Sequence, residues 1–348
     1  MKKMKVAVVG YGGMGGWHVK HILASDVVEL AGIYDINPEK QEKAISREIR
    51  SYASYEELLA DKEVELVTVA TPNDVHEELV IQALNAGKNV ICEKPVTLSL
   101  ESLERMIEAA ERNGRRFTTH QNRRWDVDYL AMKQIHDSGE IGKVINIESR
   151  VHGSRGIPGD WRREKRYGGG MLYDWGIHLI DQILMIFGFD QVESVYCIAD
   201  YITNKEVDDG FRLDINFKSG ERATLEIGTS NYIAMPRFFL RAEQGTAMIA
   251  DWKDETKVVK RTYAQEGEVV PVQTAAGLTK TMAPRDEVTT ETYRIPCPAS
   301  DVHDFYRHYV NAIRTGGAQD VTYDQMRTDL RVILAAFESV ETGKVVKF

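Results

Sequence analysis

The sequence predicts an α/β protein of two parts: a doubly wound parallel sheet, then an α/β domain with a large, mostly antiparallel open sheet. Three observations predict it. At 348 residues the chain exceeds one ordinary domain. Strand-like and helix-like segments alternate through its first third, and strand-like runs separated by short turn signals dominate the middle of the chain. No linker-like stretch separates the parts, so we place the boundary near Arg123, between residues 1–123 and 124–348.

The composition is that of a soluble globular protein, with 43% hydrophobic and 28% charged residues. A net charge of −9 argues against a general nucleic-acid binder, which needs concentrated Lys and Arg to neutralise phosphates. No apolar run approaches membrane-spanning length, and the first residues lead into a short strand, not a signal-peptide core. Cys92, Cys197 and Cys297 are far apart and predict neither a disulfide framework nor a zinc site. We therefore expect a cytoplasmic protein without a metal.

A glycine-rich turn near the N-terminus indicates a dinucleotide site. The motif Gly-Tyr-Gly-Gly-Met-Gly occupies positions 10–15, directly after an apolar strand-like run and before a helix-like one. Gly10 permits a tight turn, Gly12 lets the backbone approach a pyrophosphate, and Gly15 lets the helix pack close to the sheet. The helix N-terminus then offers amide donors and a partial positive charge to the phosphates.

Asp35 favours NAD over NADP as the cofactor. It stands at the end of the second predicted strand, twenty positions after Gly15. A carboxylate at this place accepts hydrogen bonds from the ribose hydroxyls and repels a 2′-phosphate. Ile36 and Asn37 follow it, so no arginine is immediately adjacent to hold that phosphate.

Polar side chains gather where the next predicted strands end. Ligands of parallel sheets bind beyond the carboxyl ends of the strands, so these side chains are candidates for a site. Lys94 is the most suggestive, because a lysine at the lip of a cofactor cleft can stabilise a developing alkoxide. A plain surface lysine is an equally good interpretation from sequence alone. The residues at these ends are Thr71, Pro72, Glu93, Lys94, Asn122 and Arg123.

A second candidate site lies in the C-terminal part. Three glycines at positions 168–170 precede a helical pattern in which Asp174, His178 and Asp181 fall at i, i+4 and i+7. In a helix these three side chains share one face. An acid one turn from an imidazole suits acid/base chemistry. Taken alone, however, the pattern fits a buried amphipathic helix with a hydrogen-bonded histidine better.

Together these motifs resemble the Gfo/Idh/MocA family of oxidoreductases, the glucose–fructose oxidoreductase and inositol dehydrogenase family. They are the glycine motif at 10–15, Glu93-Lys94-Pro95, and the glycine run followed by Asp174 and His178; the resemblance covers nearly the whole chain. It implies an N-terminal Rossmann domain, a C-terminal domain on a large, mostly antiparallel sheet, and tightly bound NAD or NADP. It also implies oxidation of an alcohol on a sugar, cyclitol or related molecule, and a cis Lys94–Pro95 peptide bond.

The resemblance implies a role for each catalytic position. His178 would be the general base that takes the hydroxyl proton, Lys94 would hold down the negative charge on the same oxygen, and Asp174 would orient the hydroxyls. Asp181 is left as a structural partner of the helix. Cofactor contacts are expected at Gly10, Gly12, Gly13, Met14, Gly15, Asp35, Thr71, Pro72, Asn73, His76, Glu93, Lys94 and Asn122. Substrate contacts are expected at Arg123, His152, Trp161 and Tyr232.

The rest of the C-terminal part adds two expectations. The polar loop that runs from His152 to the glycine run predicts a wall of the substrate pocket, although a solvated surface loop fits as well. One face of the antiparallel sheet should cover helices. The other is expected to carry Tyr196, Phe211, Leu213 and Leu225 or their neighbours, which are too apolar to be left bare. We therefore expect a homo-oligomer, a dimer or tetramer, to form through this sheet, and residues 267–292 to be a loop.

Three functions remain open from sequence. The first is an NAD-dependent dehydrogenase acting on a secondary alcohol of a cyclitol, sugar or glycoside. The second is a lyase or glycosidase that uses bound NAD transiently, with the same three catalytic residues. The third is a non-catalytic NAD-binding sensor, against which the presence of Lys94, Asp174 and His178 together argues. The sequence does not identify the substrate.

Overall fold

The computed structural model describes residues 2–348, which fold around a five-stranded sheet and a nine-stranded sheet. The helices are α1 (Gly13–Ala24), α2 (Pro38–Ile45), α3 (Tyr55–Ala60), α4 (His76–Asn85), α5 (Leu100–Arg112), α6 (Val127–Ser138), α7 (Ile177–Phe187), α8 (Asp304–Thr315) and α9 (Tyr323–Thr342). The strands are β1 (Met4–Val9), β2 (Val28–Tyr34), β3 (Leu66–Val69), β4 (Asn89–Cys92), β5 (Phe117–Thr119), β6 (Val144–His152), β7 (Val192–Asp200), β8 (Gly210–Phe217), β9 (Arg222–Gly228), β10 (Phe238–Ala242), β11 (Gly245–Ile249), β12 (Thr256–Arg261), β13 (Val272–Thr274), β14 (Gly277–Thr279), β15 (Thr290–Ile295) and β16 (Val346–Lys347).

The first sheet has the strand order β2-β1-β3-β4-β5 and all its strands are parallel. The chain order reverses between β1 and β3, so the carboxyl ends of these two strands flank the crevice where such folds bind ligands. The predicted doubly wound parallel sheet is confirmed. Helix α2 was not predicted, although Pro38 at its first turn and the Asn37 side chain, which accepts the Glu39 amide, are ordinary signals of a helix start.

The second sheet has the order β15-β12-β11-β10-β6-β9-β8-β7-β16. Its neighbours are antiparallel except for β6 and β9, which pair in parallel, so the mostly antiparallel sheet is confirmed. The expectation that residues 267–292 form a loop is wrong in part. They contain the hairpin of β13 and β14 and the start of β15, the strand at the sheet's edge.

The apolar residues assigned to the open face of this sheet lie on its other face. Phe211, Leu213 and Leu225 are buried in the core against the helices. They alternate along their strands with polar residues such as Arg212, which is exposed on the open face. The prediction of an apolar open face is therefore wrong at these positions. The register of neighbouring strands determines which alternate residues face the helices, and it turns Phe211, Leu213 and Leu225 toward them. Tyr196 pairs with Asp214 and does lie on the open side.

The two C-terminal helices pack back against the first sheet. Tyr306 and Tyr309 of α8 join the core around β1 and α1. Leu330 of α9 joins the core beside α4 and α5, whereas Ile333 belongs to the core of the second sheet. Helix α9 thus spans both cores, and the boundary near Arg123 stays a prediction. Among residues 2–348, no helix is long and apolar enough to cross a membrane.

Candidate active site

The glycine-rich loop leaves room where a pyrophosphate would lie. Gly10 has φ +87°, and a Cβ on it would stand 2.5 Å from the Ala70 carbonyl oxygen. A Cβ on Gly15 would stand 1.7 Å from the Gly10 oxygen, so α1 packs directly on the turn. At Gly12 and Gly13, by contrast, a Cβ would meet nothing within 4 Å. Within residues 2–348 no side-chain hydrogen bond caps the start of α1, so its first amides can donate to a phosphate and the loop fits a dinucleotide.

Asp35 ends β2 beside this loop. Its Oδ2 accepts a hydrogen bond from the Tyr11 amide at 2.6 Å, and its Oδ1 accepts one from the Asn37 amide at 2.8 Å. A carboxylate offers about four lone-pair positions, so acceptor capacity remains for ribose hydroxyls. The side chain is only half-buried, as a ribose contact requires.

Asn73 and His76, two expected cofactor contacts, face the protein instead. The Asn73 side-chain amide donates to the Gly168 carbonyl at 2.9 Å, which fastens the second glycine run to the first domain. The fully buried His76 ring has its nitrogens 3.1 Å from the Thr71 oxygen and 3.0 Å from the Pro95 oxygen. Direct cofactor contact by either side chain is therefore not supported by its position. Besides Asp35 and Lys94, the half-buried expected contacts at this sheet edge are Met14, Thr71, Pro72 and Asn122.

Lys94 joins the first sheet to the predicted catalytic helix. The Lys94–Pro95 peptide bond is cis, as expected. The Lys94 ammonium donates to the Asp174 carbonyl at 2.7 Å and to Asp174 Oδ1 at 2.9 Å, and Arg162 Nε lies 3.1 Å from Asp174 Oδ2. Burial acts to raise the pKa of Asp174, but the Lys94 and Arg162 charges outweigh it and hold this pKa below its ordinary value. Asp174 is therefore an anion held between two cations.

The segment that carries Asp174 is a π-helical turn, Leu172–Gly176, which continues directly into α7. Such turns are rare and occur frequently at functional sites. The Asp208 carboxylate holds its start by accepting the Leu172 amide at 2.8 Å. A Cβ on Gly170 (φ +104°) would stand 2.2 Å from Asp208 Oδ1, which explains the glycine at this place in the run. Burial raises the pKa of Asp208 to about 7.

His178 lies in the first turn of α7 and is 5% exposed. Within residues 2–348 its Nδ1 has no hydrogen-bond partner. Burial, followed by the nearby positive charges of Lys94 and Arg123, holds the pKa of His178 well below its ordinary value. The imidazole is therefore neutral at neutral pH and has a lone pair with which to accept a proton.

Aromatic side chains form a wall beside His178. The Trp175 ring contacts His178 edge-on, with ring centroids 6.0 Å apart. The Arg123 guanidinium lies 4.1 Å from the Trp175 ring centre and 5.4 Å from that of Trp252. Arg123, an expected substrate contact, is thus beside His178. Sequence reasoning missed Trp252, because it follows β11 at a distance in the chain from every motif.

The other three expected substrate contacts differ in their placement. Trp161 lies under the guanidinium of Arg162, 4.7 Å from its ring centre, and so borders the residue that pairs with Asp174. The His152 ring is 2% exposed, and its Nε2 lies 3.1 Å from Glu226 Oε1. Tyr232 is 87% exposed on the loop after β9. The structure therefore brings Trp161 toward Asp174, whereas within residues 2–348 it gives no such contact for His152 or Tyr232.

Glu93 is held inside the protein by two histidines that the sequence did not single out. Its Oε1 lies 2.8 Å from both His18 Nε2 and His120 Nδ1, and its Oε2 accepts the Lys94 amide at 3.2 Å. Tyr306 lies 2.6 Å from His18 Nδ1, on the other side of that ring. Glu93 is 5% exposed, and its expected cofactor contact stays a prediction. We call Glu93, His18 and His120 the buried clamp.

The buried clamp fixes the charge of the carboxylate next to Lys94. Burial acts to raise the pKa of Glu93, but His120 and His18 outweigh it and hold this pKa well below its ordinary value. Burial lowers the pKa of His18 to about 4, so this ring is neutral and donates through Nε2. The three side chains also lie close enough to hold a metal ion, with their ligand atoms within 4.8 Å of one another. Two N–H donors on one carboxylate oxygen account for the arrangement without an ion.

Removing one donor of the buried clamp should destabilise the protein. His120→Leu leaves a buried carboxylate with one fewer charge-assisted hydrogen bond, and we expect a loss of about 1.5–3 kcal/mol in the free energy of unfolding. His120→Asn is the matched control, because its amide nitrogen can replace Nδ1 as the donor and should recover part of the loss. Urea unfolding followed by tryptophan fluorescence measures both. Equal stability of His120→Leu and the wild type would contradict this role.

Two family models match the chain. Residues 4–121 match the oxidoreductase family with an NAD-binding Rossmann fold, and residues 129–248 match the GFO/IDH/MocA C-terminal domain. The chain belongs to the GFO/IDH/MocA oxidoreductase family. The family resemblance found in the sequence is thereby confirmed, and with it the α/β fold of two sheets and the NAD-binding class.

Three similar proteins extend this finding. An NAD-binding protein from Listeria innocua has a structure with a TM-score of 0.96 at 43% identity, and the match covers all of both chains. An uncharacterised oxidoreductase of Schizosaccharomyces pombe is 42% identical over a match that covers 48% of this chain and 46% of the relative's length. This chain therefore spans under half the length of that relative. A scyllo-inositol 2-dehydrogenase (NADP(+)) of Bacillus subtilis is 28% identical over 99% of this chain and 95% of its own.

Proposed function

We propose that this member of the GFO/IDH/MocA family is an NAD-dependent dehydrogenase that oxidises a secondary alcohol of a cyclitol, sugar or glycoside. One observation carries the proposal. Lys94, at the carboxyl end of β4 in the nucleotide-binding sheet, is bonded to Asp174 in the helical segment that carries the neutral His178. An ammonium, a carboxylate and a proton acceptor therefore meet at the sheet edge where the cofactor would lie.

Each of the three side chains has a task in this reaction. NAD, when bound, supplies the acceptor for the hydride. His178 accepts the hydroxyl proton, because its buried neutral ring has an unpaired nitrogen. Lys94 would donate a hydrogen bond to the reacting oxygen and stabilise its negative charge. Asp174 is held as an anion by Lys94 and Arg162, and it orients the substrate by accepting a hydrogen bond from a hydroxyl.

The substrate class rests on the groups around His178. Each cation near it has a carboxylate partner of its own: Lys94 pairs with Asp174, Arg162 Nη1 lies 2.8 Å from Asp160 Oδ2, and Arg123 Nη1 lies 2.9 Å from Asp126 Oδ2. A site whose charges are balanced in this way suits a neutral polyhydroxylated molecule. Trp175, half-buried beside His178, offers an apolar ring face against which the carbon face of a cyclitol or sugar can pack. The name of the Bacillus subtilis relative makes inositols the first compounds to test.

A substrate screen tests the proposed function. Purified protein is supplied with NAD and, in turn, inositols, free polyols, aldoses, uronates and glycosides, while NADH is followed by its absorbance. Net NADH formed with an inositol or another free polyol supports the dehydrogenase. Glycoside cleavage without net NADH would support the lyase or glycosidase instead, and NAD binding without turnover of any compound would favour the sensor.

Asp35 should set the preference for NAD over NADP. Asp35→Ala removes the acceptor for the ribose hydroxyls and the repulsion of a 2′-phosphate, so we expect the ratio of the NADP to the NAD dissociation constant to fall about tenfold. Titration of tryptophan fluorescence with each nucleotide measures the ratio. Glu39→Ala, an exposed carboxylate four residues further on, is the control and should leave it unchanged. A wild-type protein that already binds NADP more tightly would contradict the role given to Asp35.

A further inference from the structure

A small cavity lies where the end of the first sheet, α7 and α9 meet. Its volume is about 10 Å³, which is room for roughly one water-sized occupant. Pro95 and Ile177 line it, so an occupant would contact the chain next to Lys94 and the chain next to His178. The mechanism proposed above does not use this cavity.

Three polar side chains line this cavity, and each has a buried oxygen without a partner. Thr119 ends β5, Gln121 follows two positions later, and Asp329 lies in α9. These side chains belong to residues that are only 2%, 2% and 1% exposed. Within residues 2–348, Thr119 Oγ1, Gln121 Oε1 and Asp329 Oδ1 have no hydrogen-bond partner. Buried polar atoms are nearly always paired, so three unpaired oxygens around one cavity indicate an occupant that is not part of the chain.

The charges beside the cavity do not balance. Arg124 Nη2 lies 2.5 Å from Asp181 Oδ1, and Arg124 Nε donates to Asp181 Oδ2 at 2.9 Å, so these two charges match each other. Asp329 lies next to this pair but, within residues 2–348, has no ion pair of its own. The Gln121 amide donates to its Oδ2 at 3.4 Å and adds no charge. A buried carboxylate without a balancing charge is costly, so Asp329 needs either a proton or a cation.

We propose that this cavity binds one monovalent cation of the size of sodium, with Thr119, Gln121 and Asp329 as its ligands. Carboxylate, amide and hydroxyl oxygens are the ligands that hard cations take, and the set contains no imidazole or thiolate for a transition metal. One positive charge balances Asp329, whereas a divalent ion would leave an unmatched positive charge beside Arg124. Room for about one water favours sodium over the larger potassium ion.

A proton on Asp329 competes with the cation. Burial and the Asp181 charge raise the pKa of Asp329, whereas the Arg124 charge lowers it. A proton neutralises Asp329 but leaves the Thr119 and Gln121 oxygens unpaired, and a water in the cavity supplies no charge. A proton and a water together would be needed to do what one cation does alone. Because the cation replaces a proton, its binding should strengthen as the pH rises. The site does not depend on the proposed reaction.

Thermal unfolding in matched salts tests the site. Choline chloride is replaced stepwise by sodium chloride at constant ionic strength, so that the screening of surface charges does not change. An ion that binds only the folded protein stabilises it, and we expect the unfolding midpoint of the wild type to rise by about 2–4 °C. Potassium chloride should raise it less. The same midpoint in sodium and choline chloride would overturn the proposal and leave the cavity to a water.

Three variants locate the effect. Asp329→Asn removes the charge and keeps the shape of the side chain, so the rise specific to sodium should be lost. Thr119→Val removes one oxygen ligand and should reduce the rise. Glu338→Gln removes an exposed carboxylate from the same helix and is the matched control, which should keep the full rise. A rise in Asp329→Asn equal to that of the wild type would place the ion elsewhere and overturn the proposal.

Sodium NMR measures binding without unfolding the protein. We expect the wild type and Glu338→Gln to broaden the sodium resonance equally, and Asp329→Asn to broaden it much less. The broadening by the wild type should decrease as the pH falls, because protonation of Asp329 displaces the ion; the charged groups that act on Asp329 are Asp181 in α7 and Arg124. No broadening at neutral pH, or broadening that does not change with pH, would contradict Asp329 as the ligand.

Discussion

His178→Ala is expected to lower kcat by about 10²–10⁴-fold while leaving the dissociation constant of NAD little changed. The magnitude is the usual contribution of a general base. Within residues 2–348 the buried ring has an Nδ1 without a hydrogen-bond partner, so its removal takes away the proposed proton acceptor and leaves the glycine loop and Asp35 unchanged. Steady-state rates with the substrate found by screening, and fluorescence titration with NAD, measure the two quantities.

A surface histidine supplies the control for this variant. His136→Ala, at the end of α6, removes an imidazole that is about a quarter exposed and should leave kcat unchanged. Turnover by His178→Ala at the wild-type rate would remove His178 from the role of base. A loss of NAD binding equal to the loss of turnover would instead assign His178 a structural role.

The pH dependence follows from the same residue. The reaction needs the neutral ring, and protonation as the pH falls removes it. Burial and the charges of Lys94 and Arg123 place the pKa of His178 well below the ordinary value of 6.5. We therefore expect kcat/KM to stay high as the pH falls through 6.5 and to decline only at lower pH. A decline centred at or above 6.5 would contradict the neutral, buried base.

The features that sequence predicts well depend on short-range patterns. The strands of the first sheet are apolar runs, and the glycine motif stands between a strand and a helix, so both the parallel sheet and its nucleotide edge could be predicted. Placing polar residues at strand ends also identified Lys94, because the carboxyl ends of parallel strands share an edge. The pairing of Lys94 with Asp174, 80 positions later, required the family resemblance in addition.

The features that could not be predicted depend on contacts between distant segments. The face of a strand that is buried is fixed by the register of its neighbours, which is why Phe211 and Leu213 were assigned to the wrong side. The buried clamp joins α1, the end of β4 and the end of β5, and no local pattern marks His18 or His120 as partners of Glu93. A π-helical turn has the same residue types as an α-helix and cannot be recognised from them. We therefore used α-helical spacing to place Asp174 and His178 on one face, although Asp174 lies in the π-helical turn.

Arg124→Leu is expected to lower the free energy of unfolding by about 3–5 kcal/mol, the usual cost of leaving one partner of a buried ion pair alone. Arg124 and Asp181 have side chains 5% and 2% exposed, and Arg124 Nε donates to Asp181 Oδ2 at 2.9 Å. Asp181 is thus the structural partner that the sequence led us to expect. Arg124 Nη1 also donates to the Asp320 carbonyl at 2.6 Å, so the pair ties the catalytic helix to the segment before α9.

Two further variants separate the ion pair from general damage to the core. Lys133→Met breaks an exposed i,i+4 pair with Asp137 and should cost at most about 0.5 kcal/mol. Arg124→Leu combined with Asp181→Leu removes both charges, and we expect it to recover most of the lost stability, because an apolar pair no longer leaves a charge buried without a partner. Burial and the Asp181 charge raise the pKa of Asp329, which lies next to the pair, well above its ordinary value. Urea unfolding measures the free energy of unfolding of all three variants. A double variant no more stable than Arg124→Leu would show that packing, not charge, determines the loss of stability.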